Sequence, residues 1–248
     1  MIQVTGMKIL VFDIWGDYGH FRKFYTTTSP LTFSFPSPST IAGILGAIYG
    51  TDKNTNEYLD VFGYNRCRLA IQILNPVKKV RIGLNLLETK GTNLKLPMSD
   101  KNLAPRTQIR TEFLKDPRFR IYVNHEDNIV FWKLTETIKR HKSIYTVSLG
   151  LSELLASFIY VGVYECEKIT NGETAELSTP VTMDNLIEGG LEIETGKKYF
   201  KEKMPIVMNQ DRVVKRYDDV IFEPDGETIK AKVKNYYRLE NGENITFF

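Results

Sequence analysis

The side chains that could support acid–base chemistry are three histidines, with tyrosines and lysines beside them. Metal-independent RNA cleavage needs a general base near a 2′-hydroxyl and an acid or cation at the leaving oxygen, roles that His, Tyr and Lys can take. The residues available are His20, Tyr25, His125, His141 and Lys142. Their spacing selects no pair, and the simpler interpretation makes the histidines surface or capping residues.

Metal and nucleotide-cofactor chemistry has no recognisable motif in this sequence. Cys67 and Cys166 form no CxxC pair, and the histidines lack zinc-ligand spacing. The chain has no GK[ST] phosphate-binding loop, and Gly16-x-x-Gly19 is too short for a dinucleotide-binding fingerprint. We therefore expect no metal, no cofactor and two reduced cysteines.

Basic residues concentrate in two regions of the first half of the chain. The first region contains Arg66, Arg68, Lys78, Lys79 and Arg81, and the second contains Lys101, Arg106, Arg110, Lys115, Arg118 and Arg120. Arginine dominates the second region, and its planar guanidinium suits phosphate and base contacts better than lysine does. The pattern indicates either a surface that follows RNA phosphates or strand faces whose charged edges resist aggregation.

The clearest helix begins after Ser37 and ends at Gly50. Ser37 is a favourable N-cap, Pro38 suits the first helical position, and Gly50 suits the C-terminal stop. Ser37, Ser39 and Thr40 place hydroxyls beside the exposed N–H groups of the helix start. This arrangement indicates either an anion-binding site or an ordinary N-cap.

One face of this helix carries almost no side chains, because Gly43, Gly46, Ala47 and Gly50 share it. Glycine lowers intrinsic helix stability, so such a face is useful where another backbone must come close, whether protein or nucleic acid. We predict that a bulky residue at Gly43 or Gly46 harms RNA binding or subunit assembly more than folding.

The remaining pattern predicts an α+β protein rich in strands. Strands are expected at 7–15, 68–74, 79–87, 118–123, 129–134 and 159–164, with helices at 135–141 and after an N-cap at Ser152, and a polar loop at 88–103. The opening order of strand, helix, strand and strand is the first half of a ferredoxin-like unit. Hairpin turns are predicted at Asn124–Asn128, Pro224–Gly226 and Asn241–Gly242.

Composition fits a folded protein of 248 residues, with 42% hydrophobic residues and a net charge of +3. No apolar stretch is long enough to cross a bilayer and no cleavable signal is recognisable, so a cytoplasmic location is expected, without a membrane partner. Acidic residues dominate between Glu165 and Glu194. This change in composition predicts a boundary near residue 165, followed by a β-rich region at 166–248.

Three segments of the chain resemble the CRISPR-associated Cas5 family. Residues 21–30 (FRKFYTTTSP) and 35–47 (FPSPSTIAGILGA) resemble its N-terminal signature, and residues 145–153 (YTVSLGLSE) resemble its leucine-glycine-x-serine-glutamate segment. The similarity spans roughly the first two-thirds of the chain. It implies a modified ferredoxin-like RNA-recognition-motif fold at 1–165, with a protruding β-hairpin, or thumb, at about 100–123.

The resemblance also implies partners. A subunit of this family caps one end of the backbone in a type I surveillance complex of antiviral defence and holds the 5′ handle of the guide RNA. It contacts the backbone subunit and the large subunit, and it meets target DNA indirectly through the complex. The residues that match RNA-contacting positions are Arg22, Lys23, Tyr25, Ser37, Ser39, Thr40 and Gly43, with Arg106, Gln108, Arg110, Arg118 and Arg120 in the thumb region.

One branch of the family cuts the precursor of the guide RNA with a tyrosine, a lysine and a histidine, the last two adjacent in the order Lys-His. Here the order is reversed, as His141-Lys142, in a predicted helix. The sequence is more similar to the non-catalytic type I-B-like members, so we expect a binding subunit rather than an enzyme. The alternatives are a metal-independent endoribonuclease and an RNA-recognition-motif protein outside defence.

Overall fold

The computed structural model describes residues 3–26, 28–87 and 106–248, with side chains from residue 6 onward except those of Leu87 and Arg106. The strands of its main sheet are β1 (Gln3–Trp15), β3 (Cys67–Ile73), β6 (Arg118–His125), β7 (Ser157–Ile169), β14 (Tyr236–Leu239) and β15 (Asn244–Ile245). Their order is β15-β14-β7-β1-β6-β3, and every pairing is antiparallel. The mostly apolar β1 lies inside the sheet, as its composition predicts.

Helices cover one face of this sheet. The described part of the chain contains α1 (Pro38–Tyr49), α2 (Glu57–Val61) and α3 (Asn128–Lys139). Phe12 and Ile14 of β1 point to this face and pack in one core with Leu45 of α1 and Leu134 of α3. The predicted bounds of α1 are confirmed, with Ser37 as N-cap and Gly50 in the left-handed conformation at φ 93°.

The opposite face of the main sheet is covered by the end of the same chain. Alternate residues of β1, Ile9 and Val11, point to this face. They share a core with Tyr237 of β14 and Ile245 of β15. Because β14 also pairs with β7 in the same sheet, the sheet curls until its last strands lie over its own surface.

Three smaller sheets complete the described part of the fold. One contains β8 (Thr174–Leu177), β10 (Leu186–Leu191) and β13 (Ile229–Val233); one contains β9 (Val181–Thr182), β11 (Phe200–Met208) and β12 (Val214–Phe222); and one contains β2 (Tyr18–Gly19), β4 (Lys78–Leu87) and β5 (Arg106–Lys115). The predicted division at residue 165 stays a prediction. In the structure β7 continues through that position, and β14 and β15 join the main sheet.

A long hairpin of β4 and β5 projects from the body. Both of its faces are at least partly exposed at residues 82–86 and 107–110. The predicted thumb at about 100–123 coincides with this hairpin along β5, whereas 118–123 lie in β6 of the main sheet, which corrects that bound. The segment 100–105, the side chain of Arg106 and the predicted loop at 88–103 lie outside the described residues.

The prediction of a hairpin around Asn124–Asn128 is wrong, because residues 129–134 belong to α3. Asp127 caps that helix, and its Oδ1 accepts hydrogen bonds from the N–H groups of Ile129 and Val130 at 2.7 and 3.3 Å. The buried residues Phe131, Leu134, Thr135 and Ile138 follow helical spacing. Helical periodicity and the cap outweigh the strand propensity of the Ile-Val-Phe-Trp run.

Two other local predictions also need correction. No helix follows Ser152, whose hydroxyl donates to Glu153 in a turn before β7 begins. The turn at Pro224–Gly226 connects β12 and β13, which belong to different sheets, so it closes no hairpin. The Asn241–Gly242 hairpin is confirmed between β14 and β15. None of the described helices is long and apolar enough to cross a membrane.

Candidate nucleic-acid interface

The described part of the loop after β2, residues 22–26 and 28–34, is bound to the base of the β4–β5 hairpin. The N–H of Thr32 donates to Glu112 Oε1 at 3.3 Å, and the N–H of Glu112 donates to the carbonyl of Pro30 at 2.9 Å. Lys79 Nζ, on β4, donates to the carbonyl of Thr32 at 3.2 Å. Arg22 forms a backbone bridge with Thr32 across the loop. These contacts hold the predicted basic and aromatic residues beside the hairpin.

Lys23 is used inside the protein. Its Nζ lies 3.1 Å from Glu202 Oε1 on β11, and the two side chains are 13% and 12% exposed. Glu202 also accepts from Lys79 Nζ at 3.3 Å, and from the N–H and the hydroxyl of Ser34, each at 3.0 Å. This carboxylate therefore joins the loop, the hairpin and β11, and a phosphate would have to compete with it for Lys23.

The ion pair keeps both partners charged. Burial opposes the charge of Glu202, but Lys79, the N–H of Ser34 and Lys23 together lower its pKa below the ordinary value. Burial likewise opposes the charge of Lys23, but Glu202 and Tyr25 raise its pKa. Sequence analysis missed Glu202, because no local pattern connects β11 with a loop that lies far away in sequence.

Exposed aromatic rings lie next to the Lys23–Glu202 ion pair. Phe24 and Tyr25 are 52% and 59% exposed, and their rings meet edge to face at 5.1 Å. Phe24 also contacts Tyr217 of β12 at 4.9 Å, and Lys203 Nζ lies 5.8 Å from the Tyr217 ring centroid. Of these residues the sequence indicated Tyr25 alone. Such exposed rings beside cations are typical of surfaces on which unpaired bases stack.

The projecting hairpin adds polar side chains. Gln108 and Arg110 are exposed on β5 and lie opposite Asn85 and Gly83 of β4. Arg81 lies opposite Glu112, and its Nε is 3.4 Å from the Glu112 carboxylate. Residues two apart on a strand share a face, so Gln108 and Arg110 lie on the same side as this ion pair. We call residues 22–26, with the polar face of the hairpin (Arg81, Asn85, Gln108 and Arg110), the loop–hairpin surface.

Arg118 and Arg120 lie on β6 and share one buried carboxylate. Arg118 Nη2 and Arg120 Nε are 3.1 and 2.8 Å from the carboxylate oxygens of Asp13. Arg120 Nη1 also lies 3.0 Å from Glu243, whose carboxylate accepts from the Tyr122 hydroxyl at 3.2 Å. Burial opposes the charge of Arg120, but Asp13 raises its pKa above the ordinary value. Their RNA-contacting role stays a prediction, and these pairs restrict both side chains.

The start of α1 is largely enclosed. Ser37 is buried and makes no side-chain capping bond; its Oγ lies 3.1 Å from both Ser39 Oγ and Thr40 Oγ1. On the glycine face, a Cβ at Gly46 would lie 2.6 Å from the Cβ of Tyr58 in α2. A Cβ at Gly43 would meet the Tyr58 ring at 3.8 Å, an ordinary contact. Gly46 therefore makes room for Tyr58 of the protein's own α2, so a bulky residue at Gly46 should impair folding, which corrects the prediction for this position.

The three histidines lie in different surroundings. His20 is buried, donates from Nδ1 to the Glu112 carbonyl at 2.7 Å, and contacts Phe113. His125 Nε2 donates to the Val61 carbonyl at 2.8 Å, and His141 stacks on Phe158. Within 3–26, 28–87 and 106–248, no group of three or more His, Cys, Asp or Glu residues is arranged to hold a metal ion.

Comparison with known proteins identifies the family. A family model described as CRISPR-associated protein (Cas_Cas5) matches residues 9–238. The chain belongs to the Cas5 family. This confirms the resemblance in the sequence and gives the chain a CRISPR-associated role.

Solved structures share the fold of this Cas5 protein. A CRISPR protein from Archaeoglobus fulgidus matches with a TM-score of 0.56 and 16% identity, over 96% of this chain and 97% of that chain. A chain of a CRISPR RNA-guided surveillance complex matches with a TM-score of 0.50 and 8% identity, over 90% of this chain and 91% of that one. No curated protein matches the sequence.

Proposed function

We propose that this Cas5 protein is the subunit that holds the 5′ handle of the guide RNA and caps the backbone of a type I surveillance complex in antiviral defence. The single observation that carries the proposal is the loop–hairpin surface, where Phe24 and Tyr25 are exposed beside Arg22 and next to a hairpin bearing Arg110. Cations hold phosphates and rings hold unpaired bases, so this surface suits a single strand.

The fold proposed with this function is a modified ferredoxin-like RNA-recognition motif. The order β7-β1-β6-β3, with α1 and α3 on one face, supports this interpretation because it matches the β-α-β-β-α-β arrangement. An RNA-recognition motif usually stacks bases on the open face of its sheet. Here Tyr237 and Ile245 cover part of that face, which favours the loop–hairpin surface as the RNA site.

The rigid mounting of the loop supports a binding role. Glu202 fixes Lys23 and Ser34 from β11, so Phe24 and Tyr25 are presented from an anchored segment rather than from a free loop. A preorganised platform loses less conformational entropy when it binds a strand. In this proposal Lys23 positions the loop and contributes positive potential, while Arg22, Tyr25, Gln108 and Arg110 contact the RNA.

The proposed partners follow from the family. They are the guide RNA, the backbone subunit and the large subunit, with target DNA reached through the complex. The similarity to a chain of an RNA-guided surveillance complex supports this assignment at the level of fold. Four other predicted RNA-contacting residues lie on or beside α1: Ser37, Ser39 and Thr40 at its start, and Gly43 one turn further on. Binding there would need the strand to approach closely.

We also propose that the protein does not cut RNA. The alternative is a metal-independent endoribonuclease, which would need an acid, a base and a cation converging on one phosphate. His20 is buried against Phe113, Tyr25 is exposed, and Lys23 is committed to Glu202. These different environments favour binding.

Salt dependence of binding tests the proposal. A fluorescent single-stranded RNA carrying the repeat-derived handle is titrated at several salt concentrations, and each phosphate contact contributes a slope of about −0.7. Arg110→Glu should flatten the slope by about one contact, and Tyr25→Ala should weaken binding with little change in slope. Lys53→Glu, at an exposed site that is not part of this surface, is the charge control. Equal slopes for wild type, Arg110→Glu and Lys53→Glu would contradict the proposal.

A further inference from the structure

An open cleft lies between the main sheet and the β9–β12 region. Its residues are not part of the loop–hairpin surface. Its volume is about 470 Å³, within the range of small-ligand sites. Its wall includes Tyr64, Arg68, Arg216, Lys234, Asn235 and Phe247. These residues come from segments far apart in sequence, so no local motif predicts the cleft.

The charge of the cleft is positive. Arg68, Arg216 and Lys234 line it, together with one acidic side chain, that of Asp184. The Asp184 carboxylate lies 3.9 Å from Arg216 Nη1 and 3.5 Å from Lys234 Nζ, and all three side chains are substantially exposed. Long, exposed ion pairs are weak and can exchange partners. An anionic ligand can therefore recruit both cations at small cost.

Arg216 also has an unused donor. Its Nε is buried and has no hydrogen-bond partner among the residues that the structure describes. Buried donors are nearly always satisfied, so the Arg216 side chain gains a partner for Nε if it turns toward a ligand in the cleft. A phosphate oxygen provides one, because guanidinium N–H groups bind phosphate in a bidentate manner.

An aromatic ring in the wall of the cleft, that of Tyr64, offers a surface on which a base can stack. Arg216 Cζ lies 5.0 Å from the Tyr64 ring centroid, so the guanidinium makes a cation–π contact with this ring. Tyr64 itself is 50% exposed, so much of its ring is open to a stacking partner. Asn235 lies in the same wall, and an asparagine amide can pair with the edge of a base.

We propose that this cleft binds one nucleotide of single-stranded RNA, with its phosphate between Arg216 and Lys234 and its base on Tyr64. The inference rests on the proposed function, since it assigns a second contact to the same guide RNA. Arg216 and Tyr217 are adjacent on β12 and point to opposite faces of the strand. The cleft and the Phe24–Tyr217 aromatic cluster are thus two distinct sites on one strand.

Binding of the handle RNA to the full chain tests the cleft. Arg216→Gln and Lys234→Gln should each flatten the salt slope by about 0.7. Tyr64→Ala should weaken binding about 5- to 150-fold, and Tyr64→Phe, which keeps the ring, should bind like the wild type. Lys232→Gln, at an exposed position of neighbouring β13, is the matched charge control and should behave as wild type. If Arg216→Gln fails to fold, Lys234→Gln at its exposed site carries the test.

Parallel measurements separate failure of the cleft from failure of the proposed function. Unchanged binding in all cleft variants, with weakened binding by Arg110→Glu, would overturn the cleft and leave the loop–hairpin surface standing. Unchanged binding in both sets would overturn both. Competition for the cleft by an acidic peptide, without any effect of the cleft variants on RNA binding, would assign it to a protein partner and contradict the inference.

Discussion

Lys23 Nζ lies 3.1 Å from Glu202 Oε1, although the two residues are 179 positions apart in the sequence. This ion pair joins the conspicuous basic–aromatic loop of the N-terminal half to a β-strand of the C-terminal region. Because Glu202 also holds Lys79 and Ser34, one carboxylate fixes the geometry of the surface that we assign to RNA.

Glu202→Gln should lower the free energy of unfolding by about 3 kcal/mol at pH 7, because it leaves two lysines without their buried partner. The pKa of Glu202 is lowered in the folded protein, so its stabilisation is complete above the unfolded value of about 4.3 and is lost as pH falls through the folded value. Thermal melts of both proteins between pH 3 and 8 measure this.

The difference in Tm between wild type and Glu202→Gln should therefore be wide at neutral pH and narrow below about pH 4. Lys23 has a raised pKa, so its contribution is present below about pH 10.4 and is lost only at higher pH. Glu188→Gln, on an exposed site, is the control and should have little effect. A difference that stays constant down to pH 3 would show that charge on Glu202 is unimportant.

The two glycines on α1 should respond oppositely to alanine. Gly43→Ala adds a Cβ at ordinary contact distance from Tyr58 and should stabilise the protein by up to about 1 kcal/mol through helix propensity. Gly46→Ala places a Cβ 2.6 Å from both Thr51 Oγ1 and Tyr58 Cβ and should destabilise by about 1–3 kcal/mol. Denaturant unfolding of both variants measures these changes in stability. Equal changes in the free energy of unfolding for the two variants would contradict this packing of α1 on α2.

Arg120 and Arg110 provide a second matched pair. Arg120→Gln removes two charge-assisted contacts, to Asp13 and Glu243, and should destabilise the fold by about 2 kcal/mol. Arg110→Gln, on the exposed hairpin, should change stability by less than about 0.5 kcal/mol while weakening RNA binding. If Arg120→Gln leaves the unfolding midpoint unchanged, the ion pairs on β6 contribute nothing to stability.

Purified protein should leave repeat-containing RNA intact after hours in EDTA. Each catalytic role would contribute about 10²- to 10⁴-fold, and the candidate residues occupy different environments. Gel electrophoresis of the incubated precursor measures cleavage. A discrete product with a 2′,3′-cyclic phosphate, abolished by His20→Ala or Tyr25→Phe, would reassign the protein as an endoribonuclease.

The sequence predicts the elements whose signals are local. Ser37, Pro38 and Gly50 define α1, and the apolar run of β1 predicts a central strand. At α3 the strand propensity of the β-branched residues after Asn128 is outweighed by the Asp127 cap and the helical spacing of Phe131 and Leu134. That signal was present in the sequence.

The rest depends on contacts distant in sequence. No local pattern places Glu202 beside Lys23, Asp13 beside Arg120, or Tyr217 beside Phe24. Arginines that are close in sequence, and that form one basic region there, are therefore separated by the fold. Arg110 lies on the exposed hairpin, whereas Arg118 lies on the main sheet in an ion pair with Asp13. The cleft around Arg216 is likewise formed by residues that are distant in sequence.

Cross-linking of the guide RNA within the assembled complex tests the central claim most directly. Complexes purified from cells expressing the whole CRISPR system are irradiated, and the RNA joined to this chain is sequenced while the cross-linked peptide is identified. We predict cross-links from the repeat-derived 5′ end to the peptide containing Phe24 and Tyr25, and their loss in Tyr25→Ala complexes. Cross-links confined to the spacer or the 3′ end, or none to this chain, would contradict its assignment as the subunit that holds the 5′ handle.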